Sequence, residues 1–481
     1  MDTYTLKNAQ RFYINGEWIE PQSKATLDVI NPATEQSIGL VAMGAGADVE
    51  RAVAAAKAAF PIFSRTSKEE RLTLLQRVLE SYQTRLVAVA EALTLEMGAP
   101  AKFALEWQAG IGTAHIKQMI RSLEQFEFTA QRGTTRVVKE PVGVVALITP
   151  WNWPINQIAC KVLPALAVGC TMVLKPSELA PFNAVLFTEA LHEAGVPPGV
   201  FNLVQGDGPS VGQPLASHPD VDMVSFTGST RAGVMVAKTA ADTVKRVHQE
   251  LGGKSANILL PDCDLPRAVE LGVLGCFSNA GQSCNAPTRM LVPADRHAEV
   301  LEIARQVAEH VSVGDPHAAG TDMGPVISEV QFLKIQDLIA TGIAEGAELI
   351  SGGLGRPDLV EHGYFVRPTI FGNVQPSMTI AREEVFGPVL AIIPYESIEQ
   401  AIAIANDSVF GLAGYVQGTN QELAREVAGQ LRAGTVYINY PAWDPAAPFG
   451  GYKQSGNGRE YADFALHDFV EIKGIVGYGT P

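Results

Sequence analysis

Between residues 143 and 241 the chain alternates short, apolar, β-branched runs with longer segments of helical spacing. Strands are expected at 143–149, 171–174, 201–204 and 222–226, with helices around 155–167, 180–194, 210–216 and 230–241. A continuous apolar run suits a strand buried on both faces, and helices between such strands return the chain to the same end of the sheet. That combination leaves a parallel sheet with crossover helices. A second series implies another α/β domain: strand 256–260, helices 265–279, 296–310 and 329–345, strand 389–393 and helix 397–406.

Upstream, Asp48 to Phe60 and the run from Lys68 to Met97 carry apolar residues at helical intervals. RVVKEPVGVVALITP reads as a strand, a proline-marked break and a buried strand. Residues 462–477 end in EIKGIVGY, a strand leaving its domain to pair elsewhere, either as a subunit contact or as a plain sheet edge. A chain of 481 residues exceeds one ordinary core, so two or three domains are expected.

Charge narrows the partners. Fifty-one acidic against thirty-six basic residues give a formal charge of −15, which opposes binding to a phosphate backbone or an anionic membrane. The first residues lack a basic segment followed by an apolar run, and the apolar stretch from Val142 to Leu174 is broken by Asn152, Asn156, Gln157 and Lys161. A cytoplasmic protein bound to neither nucleic acid nor membrane is expected. Cys160, Cys170, Cys263, Cys276 and Cys284 form no CxxC pair and no ligand spacing with the nine histidines, so neither a disulfide framework nor a metal site is expected.

Four of these cysteines read as small core residues. In GQSCNAPTR, Cys284 stands among Gly281, Gln282, Ser283 and Asn285, which form no apolar face, so filler and nucleophile are equally good readings there. A nucleophilic thiol needs a base or a positive field. Glu250 of HQELGGKSANI is the best carboxylate candidate, against a solvated surface glutamate as the plain alternative. Asn152 in ITPWNWP follows a buried strand at the end where ligand sites gather, and reads as an oxyanion donor or as a capping residue. Lys175 and Glu178 of VLKPSE follow the next strand, where they suit ribose hydroxyls or a solvated helix start. Gly228, Ser229 and Gly233 of FTGSTRAG would let a phosphate approach a helix N-terminus, although the spacing departs from GxGxxG.

PWNWP, LKPSE, FTGST, ELGGKS, GQSC, EEVFGP and PFGGYKQSGNGRE, in this order over nearly the whole chain, resemble the aldehyde dehydrogenase superfamily. The resemblance implies an α/β fold with a Rossmann-like cofactor domain (1–120 and 142–252), an α/β catalytic domain (253–455) and a small β oligomerisation arm (121–141 and 456–481). It implies Cys284 as nucleophile, Glu250 as general base and Asn152 as oxyanion donor. Lys161 and Glu471 match positions of a proton route from the base. Lys175 and Glu178 would hold the adenosine ribose, and Ser229 would lie near the pyrophosphate beside Gly228. Glu384 and Phe386 would meet the nicotinamide ribose and ring, with Ile148 and Trp151 along the cofactor cleft. The acidic Glu178 favours NAD over NADP on charge. A homodimer or homotetramer is implied.

The implied reaction is oxidation of an aldehyde to its acid through a thiohemiacetal and a thioester on Cys284. Trp153, Gln157, Ser283, Asn285, Trp443 and Phe449 are the candidate pocket residues, and Asn156, Gln157 and Cys160 suggest a roomier, more polar wall for a bulky or polar-tailed semialdehyde. No arginine beside Cys284 is dedicated to a carboxylate, though Arg289 is near in sequence. Two rival readings stand: a CoA-acylating relative, opposed by Glu250, and a crystallin-like fold-mate without catalysis, opposed by Cys284, Glu250 and Asn152 together.

Overall fold

The protein is described by a computed structural model over residues 6–358 and 360–479. Five parallel strands form the centre of its first sheet, in the spatial order Arg246–Glu250, Met223–Thr227, Val144–Ile148, Thr171–Lys175 and Phe201–Leu203. Antiparallel strands extend it on both sides: Gly456–Asn457 beside Arg246–Glu250, and the Phe12–Ile14 and Glu17–Ile19 hairpin beside Phe201–Leu203. Alternate residues enter opposite cores. Val145, Leu147, Met172 and Leu174 face one, whereas Val144, Ala146, Ile148 and Val173 face the other. Both faces are therefore apolar, which is why no polar residue interrupts Val144–Ile148.

Connectivity places the first ligand site. From Val144–Ile148 the chain moves outward through Thr171–Lys175 to Phe201–Leu203, then returns to lay Met223–Thr227 on the opposite side of the starting strand. The reversal leaves a crevice at the carboxyl ends of Val144–Ile148 and Met223–Thr227, where the Trp151–Trp153 loop and the Gly228–Ser229 turn emerge. Helix Pro154–Val168, with proline at its first turn and left-handed Gly169 at its end, follows the first loop.

A second sheet has the order Glu348–Ser351, Thr369–Gly372, Val389–Tyr395, Arg289–Pro293, Ala256–Leu259, Ala413–Gln417 and Thr435–Ile438, parallel except at Glu348–Ser351. Its core is separate from those of the first sheet. Thr129–Arg132, Thr135–Pro141 and Val470–Ile475 make a three-stranded antiparallel sheet.

Several expectations are redrawn. The Lys68–Met97 run is two helices, Lys68–Thr84 and Leu86–Met97, because Arg85 leaves helical geometry at φ −105° and ψ 0°. The arm is smaller than 121–141 with 456–481. Helix Gly110–Gln125 runs past 121, Gly456–Asn457 belongs to the first sheet, and helix Ala462–Asp468 contacts the helices of the first domain. The C-terminal strand pairs within the chain, Glu471 opposite Glu140. Among the described residues no helix is long and apolar enough to cross a membrane.

Candidate active site

Helix Leu265–Phe277 ends where three residues in succession turn left-handed: Asn279 (φ 54°), Ala280 (φ 53°) and Gly281 (φ 72°). Two non-glycine residues in that region store strain, and surrounding contacts must over-determine them. Asn279 supplies such contacts, donating to the Asn152 carbonyl at 2.8 Å and accepting from Gln108 at 3.1 Å. A Cβ at Gly281 would meet the Gly387 carbonyl oxygen at 2.0 Å, so only glycine fits. The turn delivers Cys284 to the carboxyl end of the first sheet, and the Asn152 amide donates to the Gln282 carbonyl at 3.0 Å. Two loops from different sheets are thereby pinned into one site.

Cys284 is the residue shared by two clefts. One, of about 730 Å³, is lined on the first-sheet side by Trp151, Asn152, Gly228, Ser229 and Leu251, and on the other by Glu384 and Phe386. The second, of about 890 Å³, is walled by Phe103, Trp107, Trp153, Trp443, Phe449 and Tyr461, with the amides of Asn156, Gln157 and Asn285. Desolvation, with the charges of Glu250, Glu384 and Glu460, pushes the Cys284 thiol above its ordinary range.

Glu250 lies outside both linings, 2% exposed at the end of Arg246–Glu250, and neither carboxylate oxygen has a hydrogen-bond partner. Burial, reinforced by Glu460, pushes its pKa to about 7 against the opposing pull of His248 and Lys161. A carboxylate near neutrality is suited to general-base work. Gly450 leaves the space for it, since a Cβ there would come within 2.8 Å of Glu250 Oε1. Ser455 folds the following segment over the strand end. Its hydroxyl donates to the Gly252 carbonyl at 2.6 Å, and its carbonyl accepts from Leu251 N at 3.0 Å.

Lys161 does not pair with Glu471. The buried Lys161 ammonium pairs with buried Glu460, whose second oxygen also accepts from the Cys160 thiol at 3.0 Å. Burial works against that carboxylate, but Lys161 and His248 hold it below its usual range. Glu471 is exposed on the arm and binds Arg246 at 2.6 Å. From Glu471 to Ile475 the strand faces solvent, so only a sequence match assigned Glu471 to a proton route.

In the first cleft, Trp151 and Phe386 meet edge to face at 5.4 Å. Gly253 N donates to Glu384 at 2.9 Å, and a Cβ on Gly252 would strike the same carboxylate at 2.5 Å. Gln331 and Lys334, which the sequence did not single out, donate to the Phe386 and Glu384 carbonyls at 2.8 and 3.1 Å. Ser229 caps helix Thr230–Ala241 by accepting from Ala232 N at 3.3 Å. Lys175 and Glu178 pair at 3.2 Å, and Glu178 precedes the helix that starts at Phe182. Ile148 is in register with Lys175 and with Phe226 but is packed in the core with Val211 and Leu215, outside the cleft.

On the other side, Ser283 lines neither cleft, because its hydroxyl accepts the Trp153 indole N–H at 2.7 Å. Cys160 is turned to Glu460, and Arg289 spends its guanidinium on the carbonyls of Lys254, Ile404 and Ala405. The wall therefore joins aromatic rings to the amides of Asn156, Gln157 and Asn285, with Cys160 turned away from it. Tyr461 stacks on Phe449 at 5.2 Å, and His115, kept neutral by burial at a pKa of about 4, meets Asn156 Oδ1 at 2.6 Å. His248 was also missed, although its i, i+2 spacing from Glu250 puts both on one face of a strand.

Comparison with known proteins places the chain among oxidoreductases of one family. The model of the aldehyde dehydrogenase family matches residues 18–475. A 3-succinoylsemialdehyde-pyridine dehydrogenase from a Pseudomonas species is 56% identical over 474 residues, 98% of this chain and 99% of that one. A mutant of aldehyde dehydrogenase C from Pseudomonas syringae, solved with NAD+ and octanal, matches at a TM-score of 0.99 and 52% identity, covering 100% of this chain and 99% of its own. An aldehyde dehydrogenase of Mycobacterium tuberculosis complexed with NAD+ matches at 0.95 and 40%, covering 97% and 98%.

Proposed function

The chain belongs to the aldehyde dehydrogenase family, and on that footing we propose that it oxidises a bulky, flat or long-tailed semialdehyde with NAD as acceptor. The observation that carries this reading is the position of Cys284 on the common floor of two clefts. One cleft admits a dinucleotide and the other an aldehyde, so both reach the same sulfur.

The residues of the first cleft fit the dinucleotide. A Cβ at Gly228 would meet the Phe226 ring at 2.6 Å, so that turn is glycine-lined at the N-terminus of helix Thr230–Ala241. Lys175 and Glu178 would hold the adenosine ribose, and Glu384 with Phe386 the nicotinamide end. NAD, when bound, supplies the acceptor for the hydrogen and electron pair leaving the aldehyde carbon.

Cys284 sulfur adds to the aldehyde carbon as its proton passes to water in the cleft, and the carbonyl electron pair moves to oxygen. Asn152 and the Cys284 backbone N–H receive that oxyanion. Once the carbon is oxidised, an acyl group remains on sulfur. Glu250 takes a proton from water, the water oxygen attacks the acyl carbon, and the carbon–sulfur bond breaks to release the acid. From its buried position Glu250 acts through such a water.

The aromatic wall suits a ring or a long chain, consistent with the semialdehyde enzyme and the octanal complex among the relatives. We further read the three-stranded arm sheet as the contact of a homodimer or homotetramer, and the five free thiols as suited to the cytoplasm. Turnover across aldehydes graded in size, with NAD and NADP compared and CoA omitted, tests the reading. Acid formation with kcat/KM rising toward aryl-tailed and long-chain aldehydes is expected with NAD. A preference for acetaldehyde, or a requirement for CoA, would overturn it.

A further inference from the structure

Behind Glu250 lies a second carboxylate–imidazole pair. His248 Nδ1 and Asp468 Oδ2 are 2.5 Å apart, and the opposite nitrogen, Nε2, stands 3.5 Å from Glu250 Oε1 and 3.9 Å from Glu460 Oε1. The imidazole is buried. Its ring is locked in place: a Cβ on Gly458 would come within 2.4 Å of Nδ1 and 2.7 Å of the Asp468 oxygen, and Arg459 N fixes that same oxygen at 2.9 Å. Among the described residues Nε2 and both Glu250 oxygens have no hydrogen-bond partner, and the imidazole nitrogen stands 3.5 Å from the Glu250 carboxylate.

We propose that His248, clamped by Asp468, is a positioning residue that keeps Glu250 ionised by setting an imidazolium N–H beside its carboxylate. The inference rests on Glu250 acting as the base in deacylation. Asp468 fixes one proton on Nδ1 and favours a second on Nε2, which then faces Glu250. Burial works against the imidazolium, yet Asp468 and Glu250 lift its pKa to about 9. The other charges facing the ring are Glu460, which would otherwise keep Glu250 protonated, and Lys161, which Glu460 pairs directly. Arg246 acts on Asp468 from the surface side. Lys161, which pairs with Glu460, also favours the Glu250 carboxylate, and His248 adds its charge from 3.5 Å. When Glu250 takes a proton from water, its pair with the imidazolium weakens, and the proton is free to leave by water.

The test compares wild type, His248→Gln, Asp468→Asn and Glu250→Gln for the single-turnover rate of acyl release against pH. The acid limb of the wild-type rate is expected near pH 7 and should move up by about one to two units in His248→Gln and Asp468→Asn. The rate near about pH 6 then falls more than about tenfold relative to that near about pH 9. An unmoved limb in both variants, including a loss uniform across pH, overturns the inference by reducing the pair to structural support. Asp468→Asn decides the matter if His248→Gln does not fold to an NAD-binding protein. An acid limb that persists in Glu250→Gln would instead overturn the base assignment itself, whereas a limb lost there and unmoved in His248→Gln overturns only the present inference.

Discussion

Gly253 lies directly against the backbone of Cys284: a Cβ at position 253 would stand 2.2 Å from the Cys284 carbonyl oxygen. The second glycine of ELGGK is thus a spacer for the nucleophile. Gly253→Ala must displace the Cys284 backbone, and a misplacement approaching an ångström costs about a hundredfold in rate. A fall of that size in kcat, with NAD binding by fluorescence little changed, is expected. An alanine variant with wild-type kcat would show that the loop yields freely.

Cys284→Ala should leave dinucleotide affinity near wild type and abolish aldehyde oxidation, because no other thiol lines either cleft. Glu250→Gln should instead preserve the first burst of NADH and slow acid release by about a hundredfold or more. Since burial holds the Glu250 pKa up at about 7, the base is present above that value and lost as pH falls through it. Steady-state turnover should therefore rise with pH through neutrality. Rapid-quench detection of an acyl-enzyme in the Glu250→Gln variant is the measurement, and an undiminished steady-state rate would remove Glu250 from the role.

Much of this organisation was legible because strand periodicity and apolar runs are local properties. Val144–Ile148 and helix Thr230–Ala241 lie where the pattern puts them. Strands Ala413–Gln417 and Thr435–Ile438 were not read: AGYVQ opens on small residues that suit a loop equally well, and TVYI, although β-branched and aromatic, is only four residues long. Cys284, Glu250 and Asn152 were found through ordered motifs, whereas Glu460 was missed in favour of Glu471. Which carboxylate is buried depends on how residues 456–468 fold back over Glu250, and that is a tertiary fact. The outward-turned Ser283 is a similar case, fixed by the Trp153 indole from a distant loop.

Lys161 and Glu460 form a fully buried ion pair, 0% and 3% exposed. Removing one partner leaves the other charge unpaired in the interior, so Lys161→Met should lower stability by about 3–5 kcal/mol in urea unfolding. Replacing both, Lys161→Met with Glu460→Leu, should recover a large part of that loss. The Glu460 carboxyl is held below its usual range, so its contribution is present above the unfolded value near about 4.3 and vanishes as pH falls through the folded one. Lys161 is shifted upward by Glu460 despite its burial, so its share is complete below about 10.4 and is lost as pH rises through its folded value. Between those limits both groups stay charged, and the cost of Lys161→Met should change only as Glu250, at about 7, and His248, at about 9, titrate beside them. A double variant less stable than the single one would refute the unpaired-charge account.

Trp443 closes the aldehyde cleft from the catalytic-domain side, edge to face with His115 at 5.3 Å and with Tyr461 at 6.2 Å. It lies far from the reacting bond in sequence and contributes surface rather than chemistry, so its energy belongs to the aldehyde tail. Trp443→Ala should reduce kcat/KM for an aryl-tailed or long-chain aldehyde by about tenfold to hundredfold, the scale of a few lost apolar contacts. For acetaldehyde, which has no tail to lay against this wall, the same variant should change kcat/KM by less than about twofold. The ratio of the two substrates is what matters, because a loss shared by both would report a disturbed His115–Asn156–Tyr461 contact instead of a lost tail site. A variant that loses activity equally on the two aldehydes would take the aromatic wall out of substrate selection.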